Sequence, residues 1–137
     1  MNSERPDIVV DTHVIIWTLA QSKRLSRNAL SVLESSGNEG TIFVSVISVI
    51  ELIYLVERGR ISKDILQLLF ENVTNDESPY QLVDVTSEIS GSLAEIPRNE
   101  IPEMPDRIIA ATARWLKLPL VTSDSKIRAS SAVETIW

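Results

Sequence analysis

Short runs of Val and Ile recur along the chain, and each is followed by a segment whose apolar residues repeat at helical spacing. That alternation is the pattern of βα units, whose strands lie parallel in one sheet because the intervening helix carries the chain back across a face. The strand-like runs are Asp7–Asp11, Thr41–Ser45, Tyr80–Val85, Leu120–Ser123 and Val133–Trp137. Helices are expected from Thr12 to about Ala20, from a Ser26 cap through Glu34 with Gly37 ending it, and from a Ser48 cap through Glu57 closed by Gly59. Three more are expected from Lys63 to about Asn72, from a Thr86 cap to a stop at Pro97, and from Asp106 through Leu116, with a helical turn around Ile127. Pro97, Pro102 and Pro105 mark the stretch between them as loop. The expected fold is an open α/β sheet of about five parallel strands in a single domain, 1–137, since 137 residues suffice for one core and leave none for a second.

The absence of cysteine and the presence of one histidine exclude structural zinc, iron–sulfur clusters and thiol catalysis. A two-histidine ribonuclease is excluded too, and any Ser-His-Asp triad has to use His13. The longest apolar stretches, Ile42 to Ile50 and Ile108 to Ala113, are far shorter than the roughly 18 residues of a membrane span. Glu4, Pro6, Asp7 and Asp11 interrupt the place where a signal peptide would carry its apolar core. A soluble, cytoplasmic chain with no membrane partner is therefore expected.

Open α/β sheets bind ligands at the carboxyl ends of their strands, and four acids fall at that rim. Asp11 ends the first strand and Asp124 the fourth, Glu51 lies in the first turn after the second, and Asp106 begins the helix that feeds the fourth. Each has an ordinary structural explanation. Asp11 answers a helix dipole, Asp106 follows a proline at a helix start, Asp124 sits in a Ser-Asp-Ser turn, and Ser48-x-x-Glu51 spells a capping box. Together they carry more weight, because two carboxylates about 5 Å apart repel by roughly 3 kcal/mol at an effective dielectric near 20. Protons or cations must offset that repulsion, and an all-oxygen site selects hard ions such as Mg²⁺ or Mn²⁺. The net charge of −6 argues against a nucleic-acid partner only if these acids stay uncompensated.

Four segments carry a resemblance: Val9-Val-Asp11-Thr-His-Val-Ile-Ile-Trp17, Val44-Ser-Val-Ile-Ser48-Val-Ile-Glu51-Leu, Met104-Pro-Asp106-Arg-Ile-Ile-Ala-Ala-Thr112-Ala and Leu120-Val-Thr122-Ser-Asp124. In order and spacing the chain resembles the PIN-domain nucleases and, among them, the VapC-type toxins of bacterial toxin–antitoxin pairs, in an Asp-Thr-His subgroup. The resemblance implies a three-layer α/β/α sandwich and a metal-dependent endoribonuclease that hydrolyses RNA with a metal-activated water, leaving a 5′-phosphate and a 3′-hydroxyl. It also implies a cognate antitoxin and a homodimer. Carried over residue by residue, Asp11, Glu51, Asp106 and Asp124 match the acidic quartet, with Asp11 and Asp106 as direct metal contacts and Glu51 and Asp124 acting directly or through water. Thr122 matches the hydroxyl residue beside the last acid. The chain departs from the common pattern at His13, where many members have Asn, and in Asp124-Ser-Lys-Ile127, where an aromatic is frequent.

Ser48, Ser123, His13 and Arg107 are further candidates for supporting the acids or touching substrate. Arg107, Lys126 and Arg128 flank the rim as candidate phosphate contacts or as solvated surface charges. Trp17, Trp115 and Trp137 read as core or dimer packing in preference to base stacking. The apolar surplus of Val49 to Val56 reads as a homodimer or antitoxin face. Two other functions compete: a metal-independent ribonuclease with Glu51 and His13 as its acid–base pair, and a PIN-like RNA-binding module without turnover. A receiver domain and a haloacid-dehalogenase-type phosphatase fit poorly, since the first strand is followed by neither adjacent acids nor Asp-x-Asp.

Overall fold

The computed structural model describes residues 5–137; residues 1–4, which open the segment read above against a signal peptide, lie outside the described residues. In chain order the elements are β1 (Ile8–Val10), α1 (Thr12–Leu19), α2 (Arg27–Glu39), β2 (Ile42–Ser45), α3 (Val46–Glu57), α4 (Lys63–Val73), β3 (Tyr80–Val83), α5 (Ser87–Ser92), a 3₁₀ turn (Leu93–Glu95), α6 (Met104–Leu116), β4 (Leu120–Val121), α7 (Ser125–Ala129) and β5 (Thr135–Ile136). The five strands form one parallel sheet in the order β3-β2-β1-β4-β5. No helix among the described residues is long and apolar enough to cross a membrane.

Both faces of the sheet are covered, so its central strands β1 and β4 are apolar at every position and not merely at alternate ones. Side chains on one strand still alternate between faces. Ile8 and Val10 of β1 join Ile42, Val44 and Val121 in a core under α1 to α4, built with Val14, Ile15, Ala29, Leu33, Leu52 and Leu69. Val9 and Leu120 point the other way, into a core with Ile89, Ile109, Ala110, Ala113 and Ile127 under α5 to α7. Burying each of the larger side chains contributes about 1.5–3 kcal/mol. The result is the expected three-layer α/β sandwich. The chain runs from β1 to β2 and β3 on one side, then returns to β4 and β5 on the other. The connections leaving β1 and β4 therefore diverge into opposite layers, and a crevice opens at the carboxyl ends of those two strands.

Several boundaries differ from the sequence expectation. Helix α2 does not end at Gly37 but continues to Glu39, because the buried Ser36 donates its hydroxyl to the Pro6 carbonyl and holds the last turn against the N-terminal segment. The helix stops at Gly40, where an added Cβ would lie 2.7 Å from the Pro6 carbonyl oxygen. Helix α3 starts three residues early. Ser45 supplies the cap, its hydroxyl accepting from the Ile47 amide at 3.2 Å, so Ser48 is not the cap and the Ser48–Glu51 capping box does not form. Helix α6 starts at Met104, with Pro105 and Asp106 inside its first turn. A proline fits there because first-turn amides have no helical acceptor. All five strands are shorter than expected, although the Thr122 amide still donates to the Ile136 carbonyl at 3.2 Å. Trp17 and Trp137 pack together at 5.9 Å between ring centroids, whereas Trp115 is 51% exposed and belongs to no core.

The two glycines give opposite expectations. Gly40→Ala drives a Cβ into backbone and is expected to destabilise the fold by about 1–3 kcal/mol. Gly37→Ala meets nothing within 4 Å inside a helix and is expected to stabilise by about 0.4–1 kcal/mol. Urea denaturation of both variants checks the pair, and the same sign for both would contradict this packing.

Candidate active site

The crevice at the ends of β1 and β4 holds a cleft of about 290 Å³ lined by Asp11, Thr12, Glu51, Glu103, Asp106 and Asp124, with His13, Pro105 and Ser123 completing its wall. All four acids singled out from the sequence therefore meet at one hollow, although they lie on four different connections of the sheet. Glu103, the residue that caps α6, adds a fifth carboxylate.

Asp11 is the most constrained of them. It follows β1 directly and caps α1, with one carboxylate oxygen accepting from the Thr12 amide at 2.6 Å. Its other oxygen accepts from the Thr122 hydroxyl, also at 2.6 Å. Thr122 is fully buried, and its hydroxyl accepts in turn from the Asp124 amide at 3.0 Å. One hydroxyl thus couples the loop after β4 to the acid after β1. Asp124 caps α7 through Oδ1, which accepts from the amides of Lys126 and Ile127 at 2.9 and 3.0 Å. The turn role expected for Asp124 is real, and it also leaves the same carboxylate at the wall of the cleft.

Thr12 was assigned no role from the sequence. Its hydroxyl donates to Glu51 Oε1 at 2.6 Å and lies 2.8 Å from the Ser48 hydroxyl. Since Thr12 has one hydroxyl proton and a carboxylate can only accept, Ser48 donates to Thr12. Ser48 is buried and turned toward α1, not toward its own helix start. Thr12 therefore binds Asp11 through its amide and Glu51 through its hydroxyl. Nothing in the local sequence signals this bridge, which joins residues 39 apart. Glu103 was missed for the same reason, being indistinguishable from any exposed acid in a proline-rich loop.

The charges are not balanced within the protein. Burial raises the Asp11 carboxyl above its ordinary value, partly opposed by the bonds from Thr122 and Thr12 and by the nearby His13. Burial likewise raises Glu51, opposed by Thr12. Asp106 is pushed up to about 7 by burial and then by Asp11, Asp124, Glu51 and Glu103, with no protein donor offsetting the rise. The first-turn position favours a carboxylate through the helix dipole, but burial and then four neighbouring acids outweigh it.

The remaining candidates divide. Ser123 lines the cleft. His13 is exposed, its ring tilted against Trp17 at 5.8 Å, and no hydrogen bond joins it to Glu51 among the described residues. Arg107 corrects the sequence expectation. Its guanidinium donates to the carbonyls of Leu93 and Ile96 at 2.9 and 3.1 Å, fastening the 3₁₀ turn to α6 and turning away from the phosphate role foreseen for it. Lys126 and Arg128 are exposed on α7 and do not line the cleft.

As a cation site, the cleft has the right donor chemistry: five carboxylates and the hydroxyls of Thr12 and Ser123, with a single imidazole, His13, in the wall. No three acid or histidine side chains among the described residues are drawn together at the spacing that encloses an ion; the acids ring the hollow instead. Oxygen donors predominate, which favours a hard divalent cation over zinc or copper.

Uncompensated acids have a measurable cost in the chelator-treated protein. Folded Asp106 keeps its proton up to about pH 7, while the unfolded chain releases it near the ordinary carboxylate range of about 4. Between those values the folded state binds more protons, so stability falls as pH rises through the window. Asp106→Asn is expected to flatten that decline and raise stability at pH 8 by roughly 1–2 kcal/mol, discounted for a half-exposed group. Thermal melts at several pH values check this, and parallel profiles for the two proteins would contradict it.

Comparison with known proteins agrees with the geometry. The PIN domain family matches residues 8–131. Ribonuclease VapC22 of Mycobacterium tuberculosis is 31% identical over 137 residues, covering 95% of this chain and 98% of that protein. The fold matches VapBC2 from Rickettsia felis bound to a promoter DNA fragment with a TM-score of 0.70 at 18% identity, over 94% of this chain and 96% of that one. It matches VapBC-5 from Mycobacterium tuberculosis with a TM-score of 0.61 at 17% identity, over 95% and 97%. With a family match running from β1 past α7 and the acids that follow β1 and β4 gathered with those of α3 and α6 at one cleft, this chain belongs to the PIN-domain family, as a VapC-type nuclease.

Proposed function

We propose that this chain is a Mg²⁺- or Mn²⁺-dependent endoribonuclease and the toxin of a toxin–antitoxin pair, working in the cytoplasm. The observation that carries the reading is the cleft itself, where Asp11, Glu51, Asp106 and Asp124 meet beside Glu103 and where burial, then the neighbouring acids, push Asp106 up to about 7 with no donor offsetting it among the described residues. A divalent cation held there relieves that repulsion. Asp11 and Asp106 are the direct ligands, with Glu51 and Asp124 contributing directly or through water. When bound there, such an ion would supply Lewis-acid activation of a water and charge stabilisation at the phosphate.

The protein's own groups set the geometry. Thr122 fixes the plane of the Asp11 carboxylate and Thr12 fixes its other oxygen, so Asp11 cannot rotate away from the cleft. Thr12 anchors Glu51 through Oε1 and leaves Oε2 for the attacking water or its proton. Such supporting bonds are commonly worth ten- to a hundredfold in metal affinity or activity. No covalent nucleophile is needed. The metal-independent alternative asks Glu51 and His13 to act as a pair, which the missing bond between them disfavours. A non-catalytic RNA-binding module would have no use for the imbalance at Asp106.

The partner is a cognate antitoxin, by analogy with the VapBC complexes of the fold relatives. Ile50, Tyr54 and Met104 are 48%, 57% and 62% exposed along a groove that begins beside His13 and Glu51. This is the apolar surplus of α3 noted in the sequence, and it suits burial against the antitoxin or a second copy of the chain.

Cleavage of single-stranded and structured RNA with Mg²⁺, Mn²⁺ or EDTA tests the reading. Turnover is expected with either metal, none with EDTA, and 5′-phosphate products. Asp11→Asn and Asp106→Asn are expected to lose roughly a hundredfold or more while their circular dichroism is unchanged. Thr12→Val is expected to lose about ten- to a hundredfold. Full activity in EDTA, with a 2′,3′-cyclic phosphate product, would favour the Glu51–His13 reading instead.

A further inference from the structure

A chain of net charge −6 with an acidic cleft has to hold a polyanion somewhere, and its cations are unevenly placed. Six of the thirteen Lys and Arg residues fall in two short segments, Lys23, Arg24 and Arg27 at the entry to α2 and Arg58, Arg60 and Lys63 between α3 and α4, and no acid lies within either segment. Folding brings the two segments together. Arg24 and Arg60 line one groove of about 330 Å³ with His13, Trp17, Leu55 and Ile61. His13 also lines the acidic cleft, so the basic groove and the cleft adjoin at that residue.

Within the groove the guanidiniums are available. The Arg24 guanidinium lies 5.9 Å from the centre of the Trp17 ring, and Trp17 is braced by Trp137. A cation held over an aromatic face keeps its orientation while its N–H edges stay open to a ligand. Arg24 and Arg60 are both exposed, and neither pairs with a carboxylate among the described residues. Planar guanidiniums match phosphate oxygens with two parallel hydrogen bonds, a geometry that lysine cannot reproduce.

We infer that the groove between Arg24 and Arg60 is the track of the RNA backbone next to the scissile phosphate, each guanidinium gripping one phosphate and His13 marking the step into the acidic cleft. This rests on the ribonuclease reading above and names where its substrate lies. The aromatic cluster then has a binding purpose: Trp17 and Trp137 orient Arg24, so the tryptophans serve RNA through the arginine and not by stacking on bases.

The test is fluorescence anisotropy of a labelled single-stranded oligoribonucleotide carrying 2′-O-methyl groups, titrated in EDTA with the full chain at several salt concentrations. Chelation and 2′-O-methylation together prevent cleavage by either mechanism, so the result does not depend on whether the chain proves to be a metal-dependent nuclease. Arg24→Ala and Arg60→Ala are each expected to weaken binding by roughly three- to tenfold. The double variant is expected to lower the log–log salt slope by about 1.4, two single-strand phosphate contacts. Arg24→Lys should keep most of the slope and recover only part of the affinity. Lys117→Ala, at the opposite end of the sheet, should change neither. Melting temperatures confirm that each variant folds. Equal affinity and slope in the double variant and the parent would overturn the proposal, and so would a double variant that binds RNA normally but no longer binds a partner protein.

Discussion

Mutual repulsion among carboxylates at the switch point of the sheet governs this molecule. Five acids border one hollow, and the protein supplies hydrogen-bond donors to only some of them. Asp11 is anchored through both oxygens, Glu51 through one, and Asp124 through a helix cap. Asp106 receives no such help and carries the largest consequence, a carboxyl group held near neutrality. A fold built for stability alone would replace such a group with a neutral one, because a half-buried carboxylate among like charges is a net cost.

The rest of the architecture serves to bring those acids together and hold them. Parallel order β3-β2-β1-β4-β5 puts β1 and β4 side by side with their helices on opposite faces, which opens the crevice. Two threonines then lock its walls. Thr122 ties β4 to β1, and Thr12 ties α1 to α3, each with a hydroxyl bond of 2.6 Å inside the protein. These bonds join segments that are 111 and 39 residues apart in sequence, so the cleft depends on the whole sheet being formed. Beside it, exposed arginines and a tryptophan pair give an acidic protein a local positive surface at the mouth of its acidic cleft.

The number of strands, their parallel sheet and the rim position of the four acids were legible from local pattern, namely Val–Ile runs, helical spacing and the rule that such sheets bind at their carboxyl ends, whereas the three layers were implied by the family resemblance. Boundaries were less so where two residues of the same capping type compete. Ser45 and Ser48 both suit a helix start, and only the contact with Thr12 shows why Ser48 turns inward. Pro105 read as loop, although it sits comfortably in the first turn of α6. Arg107 read as a surface cation until the carbonyls of Leu93 and Ile96 were seen to hold it. Thr12 and Glu103 carry no local signal, since their parts in the cleft come from tertiary contacts alone.

Calorimetric titration of Mn²⁺ into chelator-stripped protein addresses the acids and their counter-ion most directly. Saturable binding by the parent chain, weakened at least about tenfold by Asp11→Asn and by Asp106→Asn in proteins that remain folded, is the result this account predicts. Parent protein that takes up no Mn²⁺, or both variants binding it as tightly as the parent, would contradict it.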